Sequence, residues 1–149
     1  LLDFRTIDLT EISPDLIFIN DPCDEYNLSF MLDPAFFSKK LKSCTQQLIY
    51  IPWFVTSEID LEDKEDGKAI VNAENYVVMP APVHSDYVIL QSEGIAKLYQ
   101  SFLEKESGAE FANYWKEKLL PFGSPLFDKD KDKEKYASKA IWEKLKAYQ

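Results

Sequence analysis

The feature that most constrains the fold is a pair of short apolar segments separated by a helical hairpin. Tyr87–Leu90 is an apolar run that leads into an amphipathic stretch, and 119–122 is a second run that stops in a Gly-Ser-Pro turn. Strand, helix, helix and strand in this order are typical of a crossover in a parallel sheet. Such sheets place their ligand sites in the loops at the carboxyl ends of the strands.

Two further apolar runs, 16–19 and 48–51, precede this pair, and polar residues or proline bound both. A continuous apolar run is expected of a strand that is buried on both faces. We expect a helix capped by Asp33, with Pro34 in its first position, between these two strands. The acidic stretch 56–72 is expected to form a surface loop. The stretch 75–83, which contains two prolines, is expected to form either a kinked helix on the sheet, which we favour, or an irregular segment. The sequence therefore predicts a three-layer, Rossmann-like α/β domain with a mostly parallel sheet.

Composition excludes several classes of function. The net charge of −9 argues against a protein that binds the phosphate backbone of nucleic acids. No apolar run approaches the roughly 18 residues of a membrane span, and no basic segment followed by an apolar stretch indicates a signal peptide. We therefore expect a cytoplasmic protein whose contact with a membrane, if there is any, is peripheral and at the inner face. The two cysteines form no C-x-x-C motif, and no P-loop or G-x-G-x-x-G motif is present, so we expect no metal and no cofactor.

A polar loop follows the first predicted strand and is the first candidate site. It contains Asn20, Asp21, Asp24, Glu25 and Asn27. Carboxylates and amides at a strand end could bind a polar ligand or acceptor, because long loops at strand ends often carry function. The alternative is a solvated turn held by hydrogen bonds from its own Asx side chains.

The ends of the other predicted strands supply four more candidate substrate-binding residues. Trp53 follows the second strand and could stack on a ring, although packing is the commoner role of such an aromatic residue. Gln91 and Ser92 follow the third strand at a helix N-terminus, which suits an anion, but Ser92 is also an ordinary N-cap. Ser124 lies in the turn after the fourth strand. His84 precedes a strand, at the end of the sheet away from ligands, so we expect it to be structural or to face solvent.

Four segments together, 15–27, 50–55, 85–93 and 122–128, resemble bacterial proteins of the CDP-glycerol glycerophosphotransferase family, which are similar to two-domain GT-B glycosyltransferases. The resemblance covers roughly residues 4–130. It implies that residues 1–128 are the acceptor-side half of a GT-B-type architecture, incomplete at its start, followed by a charged linker and terminal helix over 129–149. CDP-glycerol would bind to a C-terminal domain outside this chain. The implied reaction transfers glycerol phosphate to a hydroxyl of a polymer or glycolipid.

The chain departs from that family in one respect that bears on activity. Polymerases of the family carry a histidine, the expected general base, after the strand that corresponds to 48–51, and this chain has Pro52-Trp53-Phe54-Val55 there. Asp24 or Glu25 could act as the base if a closed cleft raised its pKa. Two hypotheses therefore stay open. The chain is either a transferase fragment that is inactive alone, or a non-catalytic α/β module that binds a ligand or partner.

Overall fold

The protein folds around a four-stranded sheet in which all described neighbours are parallel. The computed structural model describes residues 3–27, 32–62 and 67–124. The strands are β1 (Leu16–Ile19), β2 (Gln47–Tyr50), β3 (Tyr87–Ile89) and β4 (Leu119–Leu120), in the order β1-β2-β3-β4. The predicted α/β class and the positions of all four strands are confirmed. The predicted linker and helix over 129–149 lie outside the described residues.

Six α-helices connect and flank the described strands. They are α1 (Leu9–Ile12), α2 (Ser38–Lys42), α3 (Gly67–Val77), α4 (Pro80–His84), α5 (Glu93–Ser107) and α6 (Ala112–Lys118). The longest, α5, starts where the sequence predicts, because the Ser92 side chain accepts a hydrogen bond from the Ile95 N–H at 3.2 Å. It ends at Gly108, whose φ of +107° favours glycine.

Two helix predictions need correction. The single helix expected after Asp33 is a 3-10 turn, Pro34–Phe36, and then α2, because Phe37 between them is extended with ψ near 141°. The stretch 56–72 was expected to be a surface loop, but its residues from Gly67 onward belong to α3. The predicted kink is real and separates α3 from α4 at Met79 (ψ 163°), where the following Pro80 disfavours helical geometry.

One face of the sheet carries the hydrophobic core. The strand register places Ile19, Tyr50, Val88 and Leu119 in one row across the sheet, and the last three are no more than 4% exposed. They pack against the apolar face of α5 together with residues of α3, α4 and α6. Consecutive strands are neighbours and parallel crossovers are right-handed, so the connecting helices fall on the same face.

The opposite face is open over β1. Phe18 is 57% exposed and Leu16 is 42% exposed. The prediction that this strand is buried on both faces is therefore wrong for the described residues, because an apolar run has the same pattern whether one face or two are covered. In a three-layer domain a further layer would cover this face. No described helix is both long and apolar enough to cross a bilayer.

A polar cluster closes the amino-terminal edge of the sheet. The Asp86 carboxylate accepts the Leu48 N–H at 2.7 Å and pairs with the Lys42 ammonium, with both oxygens 2.6 Å from Nζ. Burial alone would raise the pKa of Asp86, but the hydrogen bonds from Lys42 and Leu48 outweigh it and lower that pKa. The cluster joins α2, β2 and the start of β3 at the end remote from the predicted ligand site.

Candidate ligand-binding cleft

The segment between β2 and α3 crosses above the carboxyl ends of the strands, is hydrogen-bonded to Gln91, and passes close to the start of α5. The Gln91 amide donates to the Thr56 carbonyl at 2.7 Å and accepts the Thr56 N–H at 3.0 Å. The Glu58 carboxylate lies so close to Gly94, in the first turn of α5, that a Cβ on Gly94 would overlap it. That position suits an anion, because the N-terminal end of a helix carries partial positive charge. We call residues 51–62 the roof segment.

A cleft of about 510 Å³ lies under the roof segment, between α3, α5 and the ends of β2 to β4. This volume is in the range of pockets that bind small ligands. Its walls are mostly apolar and include Phe54, Tyr76, Leu98 and Tyr99. The Phe54 and Tyr76 rings meet in a tilted pair with centroids 5.3 Å apart, which closes the cleft on the side of α3. None of the described lining residues is charged.

Three of the predicted site residues meet at the mouth of the cleft. Trp53 and Ser124 line both the cleft and a shallower neighbouring depression of about 480 Å³, and Asn20 lines the depression. Trp53 is 61% exposed. Gln91 lines the cleft while it holds the roof segment. The ends of four separate strands therefore converge on one opening, as expected for the carboxyl edge of a parallel sheet.

The other predicted residues have local partners. Asp21 accepts hydrogen bonds from the Cys23 N–H at 2.8 Å and from the Asn27 side-chain amide at 3.0 Å, which matches the alternative of an Asx-stabilised turn. Ser92 caps α5. Glu25 is exposed. The described residues that line the cleft do not include Asp21, Asn27, Ser92 or Glu25.

Asp24, a candidate base, is buried in the helical layer. Its Oδ2 accepts the Ser38 N–H at 2.8 Å and the Ser38 hydroxyl at 2.5 Å, and Ser38 Oγ lies 2.8 Å from Nδ1 of His84. Burial raises the pKa of the Asp24 carboxyl and lowers the pKa of the His84 imidazole. We call Asp24, Ser38 and His84 the buried polar triad. Asp24 does not line the cleft, and its role as a base stays a prediction.

The cleft walls contributed by α3 could not be identified from the sequence. Ala73 and Tyr76 lie in a stretch whose apolar residues are interrupted by Asn72, Glu74 and Asn75. The sequence indicated the helix only by the helical spacing of three apolar residues, Ile70, Ala73 and Val77. In the structure Val77 belongs to the core, and Ile70 and Ala73 pack against it. No family model, curated protein or solved structure matches the chain.

The Gln91 contacts predict how firmly the roof segment is held. Gln91→Leu keeps the size of the side chain but removes both hydrogen bonds to Thr56, each worth about 1 kcal/mol. Local opening of the roof segment should then become easier by one to two kcal/mol, so the Thr56 amide should exchange with solvent roughly tenfold faster. Hydrogen exchange followed by NMR measures this rate.

Gln100→Leu is the matched control, because the hydrogen bond of Gln100 within the described residues stays inside α5, to Glu104. It should leave exchange at Thr56 unchanged. Equal exchange rates at Thr56 in wild type and Gln91→Leu would show that Gln91 does not hold the roof segment.

Proposed function

We propose that the chain binds an amphiphile, with the apolar part of the ligand inside the cleft and a neutral polar head at its mouth. The observation that carries this proposal is the lining of the 510 Å³ cleft, which is mostly apolar and has no charged side chain among the described residues. A charged group inside such a cleft would lose its hydration without gaining a partner. An alkyl chain would gain from the same burial.

The polar head would lie where the strand ends converge. Asn20, Trp53 and Ser124 line the depression beside the cleft and offer amide and hydroxyl groups next to an exposed aromatic ring. Sugar rings commonly contact protein through hydroxyl hydrogen bonds and through the face of an aromatic side chain. The ligand class that fits both parts is a neutral glycolipid or a similar amphiphile.

A more specific candidate is the acceptor-side domain of a transferase of the CDP-glycerol glycerophosphotransferase type. The convergence of polar residues from the strand ends at the mouth of an apolar cleft supports it, because the acceptor in this reaction class includes glycolipids. The reaction would also need a donor domain that binds CDP-glycerol, and a base. Under this proposal the parent protein would work at the inner face of a membrane, where its acceptor lies.

Calorimetric titration with octyl β-D-glucoside, below its micellar concentration, tests the proposal. This probe has an eight-carbon chain and a neutral sugar head. We expect saturable binding of octyl glucoside, and no binding of glucose or CDP-glycerol to the isolated chain. Binding of glucose equal to that of octyl glucoside would contradict an apolar site, and tight binding of CDP-glycerol would contradict the acceptor-side assignment.

A cleft-filling variant locates the site. Ala69 lines the cleft from α3, so Ala69→Phe should occupy part of its volume and weaken octyl glucoside at least tenfold, or about 1.4 kcal/mol. Val71 lies on the same helix but is 59% exposed and outside the cleft, so Val71→Phe is the matched control. Equal affinity for the two variants would place the binding site elsewhere.

A further inference from the structure

The inner walls of the cleft are almost closed to solvent, although the cleft itself is large. Val77, Leu90 and Leu98 line it, and these residues are only 1%, 1% and 2% exposed. A wall that water hardly touches offers no open path to an alkyl chain, which is wider than a water molecule. Part of the enclosure must therefore move before the apolar tail of the proposed ligand can reach these walls.

The roof segment is the least firmly attached part of the enclosure. The helices and strands around the cleft are held by their own backbone hydrogen bonds, and Val77 of α3 belongs to the core. Among the described residues, no backbone-to-backbone hydrogen bond joins residues 52–59 to another element. Segments with few such bonds open locally at the lowest cost in free energy. The roof segment is therefore the part that opens first.

Gln91 supplies the polar attachment of the roof segment. Its side-chain amide makes two hydrogen bonds to the Thr56 backbone, and the same side chain lines the cleft. The base of this side chain is fixed, because the preceding residue, Leu90, donates its N–H to the Leu120 carbonyl and accepts the Gly123 N–H. The two bonds to Thr56 can therefore break while the sheet stays intact.

The apolar contacts of the roof segment lie at the cleft. Ile59 packs against the core, and the Phe54 ring meets the Tyr76 ring of α3. Ile59 and Phe54 both line the cleft, so an alkyl chain inside it would contact them. A bound ligand would add apolar burial to these contacts and would stabilise the closed position of the roof segment.

We propose that the roof segment is a lid over the cleft and that Gln91 is its latch. The lid opens when the two hydrogen bonds between Gln91 and Thr56 break, admits the apolar tail, and closes over it. Lids of this kind set the rates at which ligands enter and leave a site. The identity of the ligand rests on the proposed function, whereas the opening occurs with or without a ligand.

Thiol labelling in the absence of ligand tests the opening. Leu98→Cys places a thiol on the inner wall of the cleft, and Leu103→Cys places one on the same helix, equally buried at 2% but outside the cleft. Both are made in a Cys23→Ser/Cys44→Ala background and labelled with methyl methanethiosulfonate, a small uncharged reagent.

The labelling rates at the two positions separate lid opening from unfolding. Adding Gln91→Leu removes both hydrogen bonds of the latch, so labelling at position 98 should become about tenfold faster. Labelling at position 103 should not change, because this site is reached only when the core opens. Equal rates at position 98 with and without Gln91→Leu, or an equal rise at both positions, would overturn the lid.

Stopped-flow kinetics with octyl β-D-glucoside then connects the lid to binding. Loss of a ligand contact changes mainly the dissociation rate, whereas easier opening of a lid also raises the association rate. The association rate of Gln91→Leu should therefore be about tenfold higher than that of wild type, and Gln100→Leu should match wild type. An unchanged association rate would contradict gating by Gln91. Faster labelling at position 98 without binding of octyl glucoside to either protein would support the lid and contradict the proposed ligand.

Discussion

Ser38→Ala should destabilise the domain by about 2 kcal/mol, although it removes a single oxygen atom. Ser38 is fully buried, and its hydroxyl connects the Asp24 carboxyl to the His84 ring. Without it, the buried Asp24 carboxyl keeps only the backbone N–H of residue 38 as a donor, and the half-buried His84 ring loses its bond to the hydroxyl. Removing a partner of a buried polar group costs about 1–3 kcal/mol. Urea unfolding measures the change.

Ser43→Ala provides the control, since Ser43 lies at the other end of α2 and is exposed, and its described hydrogen bonds are local, to the Lys40 carbonyl and the Cys44 sulfur. That variant should change the free energy of unfolding by no more than about 0.5 kcal/mol. If Ser38→Ala were as stable as Ser43→Ala, the buried polar triad would not hold the helical layer together.

Lys118→Met should change how stability depends on pH. Lys118 is 2% exposed, donates to the Val83 carbonyl at 2.7 Å, and lies 5.0 Å from the centre of the Trp115 ring. Burial lowers the pKa of Lys118 from its ordinary value of 10.5 to about 8. The nearby Asp86 carboxylate opposes this shift, and the Lys42 cation adds to it.

The sign of the effect follows from proton counts. Between pH 8 and 10.5 the unfolded chain holds a proton on Lys118 that the folded protein has lost, so this residue makes folding more favourable as pH rises. Below pH 8 both states are protonated and the folded protein bears the full cost of a buried charge. Relative to wild type, Lys118→Met should therefore be most stable near pH 7 and should lose about 2 kcal/mol of that advantage by pH 10.

Urea titration at several pH values from 7 to 10 gives the free energy of unfolding of wild type and of Lys118→Met. The difference between the two proteins reports the titration of Lys118, because the other groups titrate in both. Lys116→Met, an exposed position on the same helix, should run parallel to wild type. A Lys118→Met curve that also ran parallel would mean that the lysine keeps its ordinary pKa in the folded protein.

The elements that were predicted correctly are those whose signals are local. Four short apolar runs became four strands, and α5 begins at Ser92 and ends at Gly108, as capping chemistry requires. The signal in these segments lies within a few residues of sequence. The exposure of Phe18 was missed because the pattern of an apolar run does not report how many faces of the strand are covered.

The site was predicted only in outline. Strand-end residues such as Asn20, Trp53 and Ser124 do meet at one opening, because parallel strands end at the same edge. The contacts that shape the cleft and hold the helical layer together could not be predicted from the sequence. Gln91 binds Thr56 from 35 positions away, and Asp24 and Ser38 are 14 positions apart. Pairings over such distances are set by tertiary packing, which no local pattern encodes.

The most direct test of the amphiphile site is an NMR measurement of contacts between octyl β-D-glucoside and the protein. Protein methyl groups are labelled with carbon-13, and intermolecular nuclear Overhauser effects from the octyl chain are recorded. Because Val77, Ile95 and Leu98 line the cleft, we expect contacts from the octyl chain to the methyl groups of these three residues. Contacts only to Leu16 and other residues of the open sheet face, with none to the cleft methyl groups, would contradict the account.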